Sequence, residues 1–442
     1  MTRLRTARLS LLAVLAVSPA PADGESAPDW LGALRIRGRL KEELAYRLHD
    51  PGDVSKIRTV GWLEGKYTFS EAVTLRIEGR GFWDGVFKVT SRYPPEVERD
   101  QGRDLSLRQA LLSLSLGRFD LRLGRQQIVW AEALGTFVAD VVNPRDLREF
   151  VLPDFTELRI PLWAVDFSAY LADGLSLEAV WTPDARSHQI GKEGSEFQFQ
   201  GPRYQFTVPV RRLPDDQDGL SLARSEAGLR LSYLLSGWDL SLFYYDGNDK
   251  FAVLHQRREA TPTGSEIVLE PRHDRIRIVG ATLAKSIEPV VLRAEAAFTV
   301  GKRYETTDPL DPEGVVRRDT LDYLIGVDRT FAGKVDTALQ FSQKILAGPA
   351  TGLARGAIEA RVTSSVAVRV ATGFLDDRLN PVALFVVNVS RRDYRFSPKV
   401  EVLPAGSMKL ALGADFFGGP SDTLYGEFEA NDRVYFEAGW QF

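Results

Sequence analysis

The chain ends in RVYFEAGWQF, residues 433–442, and this stretch predicts the fold class. Its apolar side chains share one parity, while polar or small side chains share the other. The apolar set is Val434, Phe436, Ala438, Trp440 and Phe442. A period of two predicts a strand with two unlike faces. Because a terminus that frays in water has little use for Trp and Phe, we expect the apolar face to meet lipid and the terminus to be tied into a sheet.

The same alternation recurs from one end of the chain to the other. Examples are LRIRGRL at 34–40, LRIEGRG at 75–81, FDLRLGRQ at 119–126 and WDLSLFYYD at 238–246. Tight links fall at 70–71, 117–118, 172–174, 236–237, 286–288, 332–333, 376–378 and 405–406, and longer polar stretches fall at 91–104, 184–219, 257–266, 304–317 and 418–432. Short turns on one side and long loops on the other are typical of outer-membrane barrels. We therefore predict an all-β fold, a transmembrane antiparallel up-and-down β-barrel of about 18 strands, with 16 as the alternative.

A soluble β-sandwich or β-solenoid is the competing interpretation. A two-sheet sandwich would reach its usual size well before this number of strands, and no fixed-period repeat marks a solenoid. Six tryptophans lie near predicted strand ends, where an amphipathic ring suits the headgroup layer of a membrane. They are Trp62, Trp83, Trp163, Trp181, Trp238 and Trp440. These positions favour the barrel.

The N-terminus predicts export. Arg3, Arg5 and Arg8 precede the apolar segment 9–17, and Ala20-Pro21-Ala22 offers a cleavage site. We expect a signal peptide over residues 1–22 and a single barrel domain over 23–442. Losing three arginines would change the formal net charge from −4 to −7, so nothing indicates a nucleic-acid binder. The absence of cysteine excludes disulfides and cysteine-type zinc or haem sites.

Two stretches carry a family resemblance. The C-terminal strand resembles the assembly signal of Gram-negative outer-membrane proteins, which implies the barrel assembly machinery as a partner. Residues 121–168, LRLGRQQIVWAEALGTFVADVVNPRDLREFVLPDFTELRIPLWAVDFS, are similar to the hallmark of a porin-like outer-membrane family of unknown function. In that family Gly-Arg-Gln is followed by Trp, Val-Asn-Pro, a short helix and an Ile-Pro strand start. The resemblance implies a barrel in the bacterial outer membrane. In some members of that family it also implies a gene that lies near genes for exporters of lipids or hydrophobic compounds. It implies no substrate and no site residue.

Residues 131–162 break the alternation and are the best candidate for a functional element. Asn143 can cap a helix, Pro144 suits its first turn, and Pro153 would stop it, which predicts one short inserted helix over 144–151. Such an insert resembles the constriction loop of a porin. Its predicted eyelet residues are Arg145, Asp146, Arg148 and Glu149. A helix that lies across the outer mouth, or that packs in the wall for stability alone, stays open as an alternative.

The polar parity also carries a series of arginines that we expect to face the lumen. They are Arg35, Arg37, Arg39, Arg76, Arg80, Arg122, Arg275 and Arg277. As fixed charges on a low-dielectric wall they would favour anions. Alternatively, they pair with acids on neighbouring strands and only stiffen the barrel. The available acidic partners slightly favour pairing.

Catalytic signals are poor. The four histidines have no metal-ligand spacing, and the hydrolase, metalloprotease and nucleotide-loop motifs are missing. We expect no enzyme, no cofactor and no metal site. The sequence predicts a porin-like channel, surrounded by outer-membrane lipid, for small polar solutes, anions among them. The alternative is an outer-membrane component of an export or lipid-trafficking system that acts with a periplasmic or inner-membrane transporter.

Overall fold

A computed structural model describes residues 32–50, 52–131, 137–199, 208–215, 219–262, 264–306, 308, 311–349, 352–353 and 360–442. The predicted signal peptide lies outside the described residues. Eighteen antiparallel strands form one sheet, which closes because the first strand pairs with the last. In chain order these strands are β1 Leu34–Arg47, β2 Asp53–Ser70, β3 Val73–Asp84, β4 Arg103–Leu116, β5 Phe119–Gln126, β6 Leu162–Ala172, β7 Leu175–Thr182, β8 Glu226–Leu235, β9 Trp238–Asn248, β10 Arg275–Ile287, β11 Val290–Val300, β12 Thr320–Phe331, β13 Val335–Leu346, β14 Val362–Thr372, β15 Leu379–Asn388, β16 Asp393–Ala405, β17 Met408–Gly418 and β18 Arg433–Gln441. The prediction of an 18-stranded up-and-down barrel is confirmed, and the 16-stranded alternative is wrong.

The C-terminus completes the closure. Phe442 donates its N–H to the carbonyl of Gly38 at 3.0 Å, and Gly38 donates back to the carbonyl of Phe442 at 2.8 Å. The Phe442 ring covers Gly38 so closely that a Cβ there would lie 2.1 Å from the ring. The centroids of the Trp440 and Phe442 rings are 4.8 Å apart. The last residue is therefore tied into the sheet, as its alternating pattern predicts.

The two ends of the barrel differ in their connections. One end, here the turn end, carries both termini of the barrel and eight links of two to six residues. All eight predicted tight links lie there, and Gly117 and Gly333 supply the positive φ that their turns require (67° and 65°). The opposite end, here the loop end, carries the long connections. The segment between β5 and β6, residues 127–161, is called the insert.

The loops contain short helices and short strands. The helices are α1 Val86–Val89, α2 Pro95–Gln101 and α3 Phe155–Leu158, with a 3-10 turn at Gly426–Asn431, and the short strands are Asp146–Leu147, Gln189–Ile190, Val210–Arg212, Val253–Thr261, Gly264–Arg272, Arg303–Glu305 and Val315–Arg317. The stretch 257–266, predicted as a loop, is therefore the tip of a hairpin that extends beyond β9 and β10. Both faces of this hairpin tip are polar, so its sequence lacks the polar/apolar alternation that indicates a strand. No helix in the described part of the chain is long and apolar enough to cross a bilayer.

Contacts with the insert identify the inner face of the wall. Arg39 and Arg58 donate to carboxylates of the insert, and Glu295 accepts from its backbone. Residues of the opposite parity form the outer face, where large apolar side chains stay exposed, such as Leu105 at 87% and Leu242 at 63%. An outer wall of this kind suits hydrocarbon rather than water.

Five of the six tryptophans noted above lie on the outer face, close to strand ends. Trp62 is the exception, and its predicted place in the headgroup layer is wrong. It pairs in register with Arg39 on one side and Arg80 on the other, so it faces the lumen.

Candidate functional site

The insert crosses the lumen and touches three separate parts of the inner wall. Glu149 forms ion pairs with Lys56 and Arg58 on β2. On the far side, Glu295 of β11 accepts the N–H groups of Val138 and Ala139, both at 2.8 Å. The Arg395 guanidinium on β16 donates to the carbonyl of Val151 at 2.8 Å. The segment that breaks the alternation is therefore a lumenal element.

The predicted helix over 144–151 is wrong. Asn143 does not cap a helix, because its Oδ1 accepts the N–H of Ile128 and its Nδ2 donates to the carbonyl of Ile160, both at 2.8 Å. The Arg145 N–H donates to Nδ1 of His188 at 2.8 Å, and Asp146–Leu147 pairs as a strand with Gln189–Ile190. Loop partners thus take the backbone groups that a helix would need. The helix of the insert comes later, as α3, after Pro153.

An apolar cluster anchors the insert against β6–β11. Trp130 is 1% exposed, and its ring centroid lies 5.5 Å from that of Phe243 and 6.3 Å from that of Tyr245. The other buried members are Ile128, Ala139, Val142, Leu162, Ala164, Val180, Ile276, Ile278 and Ala297. This contact with the insert explains why these strands carry apolar side chains on their inner face.

An aromatic cluster joins the insert to the loops at the loop end. Phe150 lies among Phe197, Phe417 and Phe428, and its ring centroid is 4.8 Å from that of Phe428. Phe417 belongs to β17, while Phe197 and Phe428 come from two different loops. Buried aromatic contacts of this kind hold the far end of the insert in place.

A buried ion cluster anchors the other side of the insert. Glu149 lies between Lys56 and Arg58, and Arg58 also bonds to Asp84 at 3.1 Å. Burial alone would raise the pKa of Glu149, but Arg58 and Lys56 more than offset this and hold the pKa well below its usual range. Glu149 therefore stays ionised at neutral pH.

A second carboxylate of the insert, Glu157 of α3, reaches β1. It accepts from Nη2 of Arg39 at 2.9 Å and from Nζ of Lys41 at 3.3 Å. Arg108 of β4 donates to the carbonyls of Thr156 and Arg159 at 2.9 and 2.7 Å. These bonds pin α3 to the wall of β1–β4.

The predicted eyelet residues have mixed roles. Glu149 bonds to the barrel wall, whereas Arg145 pairs with Asp140 of the insert at 3.4 Å. Arg148 bonds to Asp146 at 2.7 Å and to the carbonyl of Asp100 at 2.6 Å. Burial raises the pKa of Asp140, although Arg145 and Arg159 oppose this rise. Arg145, Asp146 and Arg148 thus hold the loops together.

Glu149, Asp146 and Arg148 also border a narrow gap between the insert and the wall, together with Arg58 and Arg80. The gap has a volume of about 30 Å³. This is room for about one water molecule. The insert therefore closes tightly against β2 and β3.

Six of the predicted lumenal arginines lie on the inner face by register: Arg35, Arg37, Arg39, Arg76, Arg80 and Arg122. Arg122 pairs with Asp166, and Arg76 lies 3.9 Å from Glu64. Arg35 and Arg37 are exposed near the turn end. The series is therefore partly an ion-pair network and partly open to the lumen.

Arg275 and Arg277 do not face the lumen, and that prediction is wrong. Between them Ile276 points inward, into the Trp130 cluster, so both arginines lie on the outer face at the loop end. Both bond to Asp246 of β9. At the rim of a barrel the outer face meets polar surroundings, so charged residues there no longer mark the inner side.

Sequence reasoning missed the lumenal role of Trp62. The guanidinium carbon of Arg39 lies 3.7 Å from the centroid of the Trp62 ring, and that of Arg80 lies 5.4 Å away. A cavity of about 470 Å³ opens beside the ring at the turn end. Parity could have found this residue, because Trp62 shares the parity of Arg58, Glu64 and other charged residues of β2.

Among the described residues, no group of three or more His, Asp or Glu side chains could hold a metal ion.

The fold is similar to those of solved bacterial structures at low sequence identity. OccAB1 of Acinetobacter baumannii has a TM-score of 0.56 at 9% identity, over 92% of this chain and 96% of that one. OccK8 (OprE) of Pseudomonas aeruginosa has a TM-score of 0.55 at 9% identity, over 93% and 99%. OccK2 (OpdF) of the same organism, solved in complex with glucuronate, has a TM-score of 0.51 at 11% identity, over 93% and 99%. These likenesses concern the fold alone.

Among curated proteins, none matches this chain. The family described as "Protein of unknown function (DUF1302)" matches residues 49–378, which is well over half of the sequence. The chain, an 18-stranded barrel with a lumenal insert, therefore belongs to this DUF1302 family.

Proposed function

We propose that this protein is a porin-like outer-membrane channel for passive passage of small polar solutes, with a mild preference for anions. The observation that carries the proposal is the insert, which crosses a closed 18-stranded barrel and is bonded to opposite parts of its inner wall. A barrel of this size encloses a lumen wide enough for an aqueous path. An element folded into that lumen narrows the path and sets its selectivity.

Charge at the turn end supports the anion preference. Arg35, Lys66 and Arg76 are direct cross-strand neighbours on the inner face of β1–β3. Three cations at one mouth of a low-dielectric tube focus a positive potential there. OccK2, which shares the fold, was solved with glucuronate, and a carboxylate is the kind of solute that such a mouth would attract.

Ion selectivity in planar bilayers tests this proposal. We expect the reversal potential of the purified protein in a KCl gradient to show anion preference, and Arg35→Gln with Arg37→Gln to lower the chloride-to-potassium permeability ratio by about twofold. The matched control is Arg275→Gln with Arg277→Gln, because these two arginines lie on the outer face. A cation-selective wild type, or equal shifts in both double variants, would contradict the proposal.

The narrow gap beside the insert favours a second candidate function. A space of about 30 Å³ between insert and wall suits a barrel that conducts little alone and serves, with a periplasmic partner, in export or lipid trafficking. Glu149→Gln combined with Glu157→Gln removes both ionic anchors of the insert. A pore should then conduct more, whereas silence of the wild type and of this variant would favour the export component.

A further inference from the structure

A row of three side chains crosses the inner wall about midway along β1–β3. Arg39 of β1, Trp62 of β2 and Arg80 of β3 are direct cross-strand neighbours. The Arg39 guanidinium stacks on the indole, with 3.7 Å between its carbon and the ring centroid. Stacking fixes the plane of the guanidinium, so its N–H groups are held ready for a planar acceptor.

The cavity beside this row has the size of a small-molecule site. Its volume is about 470 Å³, and its walls include Arg37, Trp62, Glu64 and Gln441. Pockets for small organic ligands commonly span about 300–1,000 Å³ and combine apolar surface with a few fixed polar groups. The turn Gly406–Ser407 lies at its rim, which places the cavity at the turn end of the lumen.

The protein itself places a carboxylate at this row. Glu157 accepts from Nη2 of Arg39 at 2.9 Å and from Nζ of Lys41 at 3.3 Å. Lys41 lies 5.4 Å from the centroid of the Trp62 ring. The guanidinium that stacks on Trp62 therefore already binds a carboxylate, through a side chain of the insert.

We propose that this cavity, here the Trp62 vestibule, binds solutes that join one carboxylate to a flat apolar group. The carboxylate bonds to Arg37 and Arg39 and competes with Glu157, while the flat group lies against Trp62. Glu64 and Glu78, which face each other across β2 and β3, disfavour a second negative charge on the solute. The inference rests on the proposed channel and names the class of solute that it selects.

Benzoate, benzamide and acetate test the ligand chemistry, because benzamide lacks the charge and acetate lacks the ring. Binding is measured by titration calorimetry on the full-length barrel folded in detergent. We expect benzoate to bind about tenfold or more tightly than either analogue, since it alone makes both the charge-assisted bonds and the aromatic contact. Equal binding of benzoate and benzamide, or of benzoate and acetate, would overturn the proposal.

Three variants place the ligand at the row. Trp62→Leu should weaken benzoate binding about fivefold and leave acetate unchanged, because only benzoate uses the ring. Arg39→Gln should weaken benzoate binding about tenfold or more through loss of a charge-assisted bond. The matched control is Trp83→Leu, since Trp83 lies on the neighbouring strand but is 51% exposed on the outer face. A loss in the control equal to that in Trp62→Leu would contradict the assignment.

Glu157→Gln separates binding from stability. Competition predicts that benzoate binds several-fold more tightly to this variant, because a neutral amide holds Arg39 less firmly than a carboxylate does. If the Arg39–Glu157 pair only stabilises the fold, affinity stays the same or falls.

Conductance of the same preparations distinguishes the two proposals. Ion current without benzoate binding would contradict the proposed Trp62 vestibule and support the proposed channel. Benzoate binding without ion current would contradict the proposed channel and support the proposed Trp62 vestibule.

Discussion

At Glu149, one carboxylate carries two ion pairs between the insert and the wall. Lys56 and Arg58 are buried, so loss of the carboxylate would leave two buried cations with only Glu43 and Asp84 as counter-charges. The charged residue was recognisable from the sequence as part of the insert. Its partners were not, because they lie more than ninety residues away in the chain.

Glu149→Gln should lower the free energy of unfolding by about 3 kcal/mol at pH 7, because it breaks two buried ion pairs and leaves Lys56 and Arg58 with less negative charge around them. Urea unfolding in detergent, followed by tryptophan fluorescence, measures the change. The surface control is Glu96→Gln, whose pair with Arg99 is largely exposed and should contribute little.

The same pair predicts a pH dependence. The pKa of Glu149 is well below its usual 4.5 in the folded state, so its stabilisation is complete above pH 4.5 and is lost as the pH falls below that value. The difference between wild type and Glu149→Gln should therefore be constant from pH 7 to 5 and shrink at lower pH. A difference that grows on acidification would show that Glu149 is not held by these cations.

At the scale of elements, the strands and the insert obey different rules. Each strand was predictable because residues i and i+2 share the same polar or apolar character, which the sequence shows directly. The insert was recognisable only as an interruption. Its helix was predicted at 144–151 from capping preferences. In the structure Asn143 bonds to Ile128, Arg145 and Asp146 bond to 188–189, and α3 forms at Phe155–Leu158.

Asn143→Asp distinguishes the observed bridge from a helix cap. Aspartate caps a helix as well as asparagine does, so a capping role predicts no harm. The bridge needs the Nδ2 donor for the carbonyl of Ile160, and its loss should cost about 1–3 kcal/mol locally. We expect faster hydrogen exchange and proteolysis within 137–161, while the barrel strands stay protected.

Asn380→Asp is the control for this experiment. Asn380 also donates through Nδ2, to the carbonyl of Asp377 at 2.7 Å, but it is a turn-end residue far from the insert. It should leave the exchange of 137–161 unchanged. Unaltered exchange in Asn143→Asp as well would contradict the bridge.

For the whole molecule, closure and the apolar outer wall suit the membrane location that the proposed channel requires. Leu242 lies on the outer face towards the middle of β9, and Leu235 lies on the same face at the turn end of β8. A charge in the middle of a bilayer costs more than one near the headgroups, because it cannot reach water.

Leu242→Arg should therefore cost about 2–4 kcal/mol in lipid vesicles, and Leu235→Arg about 0–1 kcal/mol. Folding into vesicles over a urea series, read by the shift in gel mobility without boiling, gives both values. Equal costs at the two positions would show that the outer face of β8–β9 does not span hydrocarbon.

The sequence by itself determined the strands, their approximate number, the side with tight turns and the pairing of the terminal strand. These features are local, because period-two alternation and turn residues act over a few neighbours. Tertiary structure alone decided the path of the insert, the outward position of Arg275 and Arg277, and the inward position of Trp62. Contacts such as Arg39 with Glu157, or Arg395 with Val151, join residues 118 and 244 positions apart. Only closure of the barrel brings such residues together, so no pattern of neighbouring residues in the sequence predicts these contacts.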